Sequence, residues 1–348
     1  MLTLMLPVAG RSSRFPSMRP KWLLTMPDGK LMIEKSVENL DLKIFSKIII
    51  VCLREHIEKY TTIDRVKKSF ESTTGIIPEV VVLEKPTKSQ SETIVKAIKL
   101  ADITGPFMIK DCDNKFTCEP KPENLIATID LNDIELVDAK NKSYVVVDSL
   151  NNVSNIVEKK VISNQFCCGA YCFESANRFV DAYSEISSEE EIYISHVIYR
   201  MILDGENFRS LESFDYVDWG TLREYRHYCK KHITIFCDVD GVLLNNGSKF
   251  KDDGWKTSAI EKNVEKLLTL QKGGFLHLVL TSSRPESEIE YTVNELKRVG
   301  LSVDNVLFGL PHTRRYLIND FSPTNPYPSA VSINIERDSE MLEHLFDD

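Results

Sequence analysis

The chain is 348 residues long, 42% hydrophobic and 27% charged, with a formal net charge of -9. Such a length accommodates two domains, because single cores rarely grow past about 250–300 residues. The acidic balance argues against a general nucleic-acid binder, which is usually basic, and no apolar run reaches the roughly 18 residues needed to span a bilayer.

The first apolar run, residues 2–8, is short, has no cation ahead of it and enters a Gly/Ser/Arg loop directly. It reads as a buried strand rather than a signal peptide. A helix is expected over 33–40, a strand over 47–52, a helical stretch to about residue 70, a strand over 79–83, a helix over 90–101 and a strand over 107–111. Strands separated by helices imply a parallel sheet with right-handed crossovers, and ligands in such sheets bind beyond the carboxyl ends of the strands. From about 112 to 230 the pattern is less regular, with strands expected at 144–148 and 168–173 and helices at 175–186 and 194–203.

The polar, basic run 223–231 precedes a fresh alternation. Strands are expected at 233–237 and 276–280, helices at 258–272 and 285–299, and short strands near 306, 316–318 and 331–333. The expected fold class is α/β with two domains, 1–230 and 231–348, each a mostly parallel sheet flanked by helices. The eight cysteines form no CxxC pair, and Cys167, Cys168 and Cys172 have no His or further Cys at ligand spacing. They read as small buried hydrophobes, and reduced thiols suit a cytoplasmic protein.

Three segments of the first domain bear on phosphate chemistry. In the first, a strand enters the loop Ala9-Gly10-Arg11-Ser12-Ser13-Arg14, followed by Pro20-Lys21. Small residues leave backbone N–H groups free to face a phosphate chain, and Arg14 and Lys21 add positive charge where a departing pyrophosphate accumulates negative charge. The second is Lys110-Asp111-Cys112-Asp113-Asn114, at a strand end where carboxylates hold a divalent cation against phosphates. The third is Asp218-Trp219-Gly220-Thr221, which otherwise reads as a helix-capping turn.

Their order and spacing resemble the sugar nucleotidyltransferase (nucleoside-diphosphate-sugar pyrophosphorylase) family, whose signature is A-G-x-G-[ST]-R followed by P-K. Ser12 stands where that signature has its second glycine, and Cys112 where a glycine commonly precedes the acid. The resemblance implies Asp113 and Asp218 as Mg²⁺ ligands, with Asp111 a further candidate. It implies that Gln90 and Ser91 begin a helix facing the nucleotide, and that Lys159 and Gly169 face the acceptor's phosphate. The implied reaction is attack by an acceptor phosphate on the α-phosphorus of a nucleoside triphosphate, releasing pyrophosphate.

In the second domain the apolar strand 233–237 delivers Asp238 and Asp240 ahead of Gly241, which lets the chain turn sharply. Two carboxylates at i and i+2 can attack phosphorus and protonate the leaving oxygen. The motif resembles the haloacid dehalogenase superfamily, D-x-D-G-[TV], implying Asp238 as nucleophile, Asp240 as general acid/base, and both with Asp320 around Mg²⁺. A phosphate-binding hydroxyl falls to Thr281 or Ser282. The family's lysine is missing before Pro311, and Arg314 or Arg315 can stand in.

The fusion resembles bacterial capsule and surface-polysaccharide biosynthesis proteins. It implies a bifunctional, Mg²⁺-dependent enzyme acting on a nucleoside triphosphate, CTP favoured, and a phosphorylated sugar or polyol, with no nucleic-acid or membrane partner. Oligomeric state is not readable. Two other readings stand beside it: a phosphatase whose first domain only binds a nucleotide or sugar phosphate, and a working nucleotidyltransferase served by a non-catalytic second domain.

Overall fold

The computed structural model describes residues 2–134, 139–187, 191–319 and 330–346. The chain divides into two compact units, Met1–Arg226 and His227–Asp348, each with its own apolar core.

The first unit is built on a mixed sheet. Its parallel half consists of β1 (Leu2–Pro7), β2 (Phe45–Leu53), β3 (Glu79–Leu83) and β4 (Phe107–Lys110), in the order β4-β1-β2-β3. β1 is central and almost wholly apolar because helices cover both sheet faces. Successive side chains point to opposite faces: Met5, Ile49 and Val51 enter one core cluster, while Leu4, Leu6, Ile48 and Ile50 enter the other. Beyond β4 the directions reverse. A short β5 (Asn114–Thr117) leads to β6 (Leu125–Asp130), β7 (Ser143–Val147), β8 (Val153–Glu158) and β9 (Gln165–Phe173), and β9 lies antiparallel to both β4 and β6. β10 (Arg209–Glu212) closes that edge, and β11 (Phe214–Asp218) forms a separate antiparallel ribbon with β5.

The helix expected over 33–40 is shorter than the pattern suggested, running Met32–Ser36 before turns take over. The helical stretch to residue 70 is two helices, Arg54–Tyr60 and Ile63–Thr74, because Thr61 is fully extended and Thr62 caps the second by accepting a bond from Arg65 N at 3.2 Å. Ser89 caps the helix Gln90–Leu100 in the same way, and Glu92 reaches back to Lys88 N at 2.6 Å.

In the second unit, β12 (Ile233–Asp238), β13 (Leu276–Thr281) and β14 (Asn305–Leu307) are parallel in that order, crossed over by helices Glu261–Lys272 and Ile289–Arg298. The strands expected near 316–318 and 331–333 are not formed. Tyr316, Ile318 and Val331 are 76%, 88% and 72% exposed, so these triplets bury too little apolar surface to offset the cost of ordering their backbone. Among the described residues, no helix is long and apolar enough to cross a membrane.

Candidate active site

A cleft of about 710 Å³ opens beyond the carboxyl ends of β1 and β4. Its walls are the loop from Val8 to Phe15, Lys21 and Trp22, the approach to the Gln90–Leu100 helix, and Asp111 to Asp113. Its volume is within the usual range for small-molecule sites.

The loop after β1 departs from regular structure at Ser12, whose φ is +50°. Left-handed backbone costs a non-glycine residue about 1–2 kcal/mol, which accounts physically for the glycine that the sequence signature has there. Ser12 gains in return a bond from Lys21 N to its Oγ at 3.0 Å, tying the loop to the Pro20-Lys21 turn. Trp22 beneath it is buried and donates from Nε1 to His56 Nδ1 at 3.2 Å. Burial holds His56 below its usual range, which keeps that nitrogen able to accept.

The acids converge through strand register. In the β5–β11 ribbon Asp218 pairs with Asn114, and Trp219 N donates to Asp113 O at 2.7 Å. Residues about a hundred positions apart thus share one spot, and Gly220 keeps it free of a side chain. A methyl group placed on Gly220 would come 3.0 Å from Asp218 Oδ1, 3.3 Å from Asp113 Oδ2 and 3.6 Å from Arg14 Nη1.

Each acid has a cation. Lys21 is ion-paired with Asp113, and Lys142 with Asp218. Burial works against both charges of the first pair, yet mutual attraction overcomes it: Asp113 lies well below the carboxylate range, held by Lys21, Arg14 and Lys142, and Lys21 is raised. Beneath the turn, Lys110 is wholly buried, its Nζ donating to Asp111 O at 2.7 Å and Asn114 O at 2.9 Å and sitting 4.6 Å from the Phe116 ring. Lys110 and Lys142 were not anticipated. Lys110 opens the Lys110–Asn114 segment but was given no role there, Lys142 stands in no motif, and both roles depend on groups that meet them only in the fold.

Asp111 lines the cleft, accepts a bond from Gln90 Nε2 and faces Gly169, where a Cβ would fall 2.6 Å from Asp111 Oδ2. Gly169 has φ +90°, so both backbone and space demand glycine. Burial and the adjacent Asp113 raise Asp111 above the usual 3.8. A carboxyl whose folded value is raised favours the fold only when protonated, and its charge opposes folding at neutral pH. Asp111→Asn is therefore expected to raise the melting temperature at pH 7. That gain should shrink as pH falls through the carboxylate range, and a lower melting temperature at pH 7 would contradict this picture.

Of the remaining expected residues, Ala9, Gly10, Arg11, Ser13 and Gln90 line the cleft. Ser91 does not: it is wholly buried on the inner side of its helix. Lys159 is exposed, and its Nζ lies 4.1 Å from the Tyr193 ring centre. The Tyr193 hydroxyl donates to Glu191 at 2.8 Å, and Glu191 lines the cleft.

The residues present fit Mg²⁺. Among the described residues no group of three or more His, Cys, Asp or Glu gathers to form a protein cage, at Cys167, Cys168 and Cys172 or elsewhere. Mg²⁺ needs none, because it is commonly held by one or two carboxylates plus substrate phosphates. Asp113 Oδ2 and Asp218 Oδ1, facing each other across the side-chain-free space at Gly220, supply such a pair.

In the second unit Asp238 and Thr281 are register partners at the carboxyl ends of β12 and β13. Arg315 Nη1 reaches Asp238 Oδ1 at 3.2 Å and Thr281 Oγ1 at 3.3 Å, whereas Arg314 turns toward the Tyr316 hydroxyl. Ser282 is buried and faces Asp240 at 3.4 Å. Asp240 is gripped by Arg284, a residue overlooked in the sequence although it stands in the run Thr281-Ser282-Ser283-Arg284. Arg284 Nε and Nη2 lie 2.8–3.1 Å from its two oxygens. Asp320 lies outside the described residues.

Solved structures share this fold over about two-thirds of the chain. A nucleoside-diphosphate-sugar pyrophosphorylase from Vibrio cholerae RC9 matches at TM-score 0.55 and 18% identity, over 66% of this chain and 100% of its own. The inositol-1-phosphate CTP transferase from T. maritima matches at 0.53 and 14%, over 65% and 94%. A UDP-glucose pyrophosphorylase complexed with UDP-glucose matches at 0.52 and 17%, over 66% and 97%. The chain thus carries a nucleotidyltransferase-like fold. No protein-family model matches it, and neither does any curated protein.

Proposed function

We propose that the chain transfers a nucleotidyl group from a nucleoside triphosphate to a phosphorylated sugar, polyol or similar small acceptor, with release of pyrophosphate. The observation that carries this reading is the meeting of Arg14, Asp113 and Asp218 around Gly220, with Lys21 on Asp113, where Arg14, Lys21 and Asp113 also line the cleft beside the loop Ala9 to Ser13. The loop Ala9 to Ser13 would hold the triphosphate, and Lys21 and Arg14 would face its charge. An acceptor phosphate oxygen forms the new bond to the α-phosphorus as the bond to pyrophosphate breaks. That step needs alignment and charge neutralisation rather than a covalent enzyme intermediate. Mg²⁺ on Asp113 and Asp218 would supply further neutralisation of the phosphates.

The second unit supports a phosphomonoesterase role of haloacid dehalogenase type, with Asp238 as nucleophile and Arg315 and Thr281 around the phosphate. In that role Asp240, Asp238 and Asp320 would also hold Mg²⁺. The grip of Arg284 on Asp240 favours the rival reading, in which this unit serves a working nucleotidyltransferase without hydrolysing anything. A cytoplasmic role in surface-polysaccharide precursor synthesis is the setting in which we place the chain.

One assay separates these readings. Purified chain is supplied with each nucleoside triphosphate and a panel of phosphorylated sugars, polyols and amino-acid derivatives, and pyrophosphate and free phosphate are measured separately. Acceptor-dependent pyrophosphate is the expected result. Pyrophosphate without free phosphate selects the rival reading of the second unit, and free phosphate alone overturns the transferase.

A further inference from the structure

Asp218 is nearly sealed from solvent, its side chain 4% exposed, and a buried carboxylate requires a counter-charge. Its Oδ1 accepts a bond from Gly220 N at 2.9 Å, and its Oδ2 takes the ammonium of Lys142. Lys142 also has aromatic partners, one of which, Tyr216, shares its hydroxyl with Asp218. The Lys142 Nζ lies 2.7 Å from the Tyr216 hydroxyl, 5.4 Å from the Tyr216 ring centre and 5.9 Å from that of Phe166. Aromatic faces attract ammonium groups at about 6 Å, so the cation keeps favourable neighbours if the carboxylate is taken from it. A lysine also rides on a flexible four-carbon stem, unlike a forked, planar guanidinium.

Resting on the nucleotidyltransferase reading, we propose that Lys142 is a displaceable counter-cation: it holds Asp218 in place before substrate arrives and yields it to the divalent ion. Lys142 is then a positioning residue, and it touches neither nucleotide nor acceptor. Its exchange for a divalent ion leaves the surroundings of Gly220 with one more positive charge. The opposite arrangement stands in the second unit, where the rigid fork of Arg284 holds Asp240.

The test is the affinity of the full chain for Mn²⁺ alone, read from the electron paramagnetic resonance signal of the free ion. Lys142→Met removes the competitor, and we expect Mn²⁺ to bind about tenfold tighter or more, with the gain abolished by adding Asp218→Asn. Lys142→Arg preserves the pair and should bind Mn²⁺ no more tightly than the parent chain. Tighter binding by the Arg variant, or equal or weaker binding by a folded Met variant, overturns the proposal. Should the Met variant fail to fold, Lys142→Gln, which also removes the competing charge, carries the same expectation and the same overturning result. Pyrophosphate release by the parent chain keeps the two readings apart: Lys142 can fail here while that activity stands.

Discussion

Replacing Asp113 with Asn is expected to lower acceptor-dependent pyrophosphate release by on the order of a thousandfold, as the loss of a group that stabilises transition-state charge does elsewhere. The substitution preserves shape, and Lys21, 21% exposed, can turn to water, so the first unit should remain folded. A small stability cost has a defined pH dependence. Asp113 is depressed from its ordinary 3.8, so the contribution of its charge is complete above that value and fades only as pH falls through the lower folded value. The cost of Asp113→Asn should accordingly be largest at neutral pH and diminish in acid. Full activity in a folded Asp113→Asn protein would remove the metal assignment.

The largest expected effect on stability lies in the second unit. Arg284 is 0% exposed and donates to both oxygens of Asp240, to Thr292 Oγ1 at 3.1 Å and to Thr257 Oγ1 at 3.2 Å, with its guanidinium carbon 5.4 Å from the Trp255 ring centre. Arg284→Met leaves the partly buried Asp240 without its cation, and the about 3–5 kcal/mol typical of a fully buried pair is the upper bound on the cost. Adding Asp240→Asn removes the orphaned charge, so the double variant should recover part of that loss, and denaturant unfolding of the four proteins closes the cycle. A cost below about 1 kcal/mol for Arg284→Met would mean that the pair is not a structural tie. Asp240 would then be free for proton transfer.

Much of the architecture was legible because burial on both faces forces continuous apolar runs. The segment ending at Pro7 and the Ile48–Val51 run of β2 declare themselves in this way. The segment 316–318 looked alike over three residues, but so short a run says nothing about whether a neighbouring strand receives it. In the site, Asp113 and Asp218 could be nominated one at a time. Their meeting depends on the pairing of Asp218 with Asn114, a long-range register that local pattern does not encode. Lys142 and Arg284 were harder still, since a cation in a polar stretch ordinarily faces water, and only a carboxylate held opposite makes it internal. Ser12 shows the reverse case: its departure from the glycine pattern was visible, and the structure adds the left-handed backbone and the bond that compensates it.

A crystal structure of the chain with Mg²⁺ and a nucleoside triphosphate would reach the proposed catalytic arrangement most directly. We expect a divalent ion against Asp113 and Asp218, with the triphosphate along Ala9 to Ser13 and both Lys21 and Lys142 withdrawn from their acids. A nucleotide absent from the cleft, with Asp113 still on Lys21 and Asp218 still on Lys142, would contradict it.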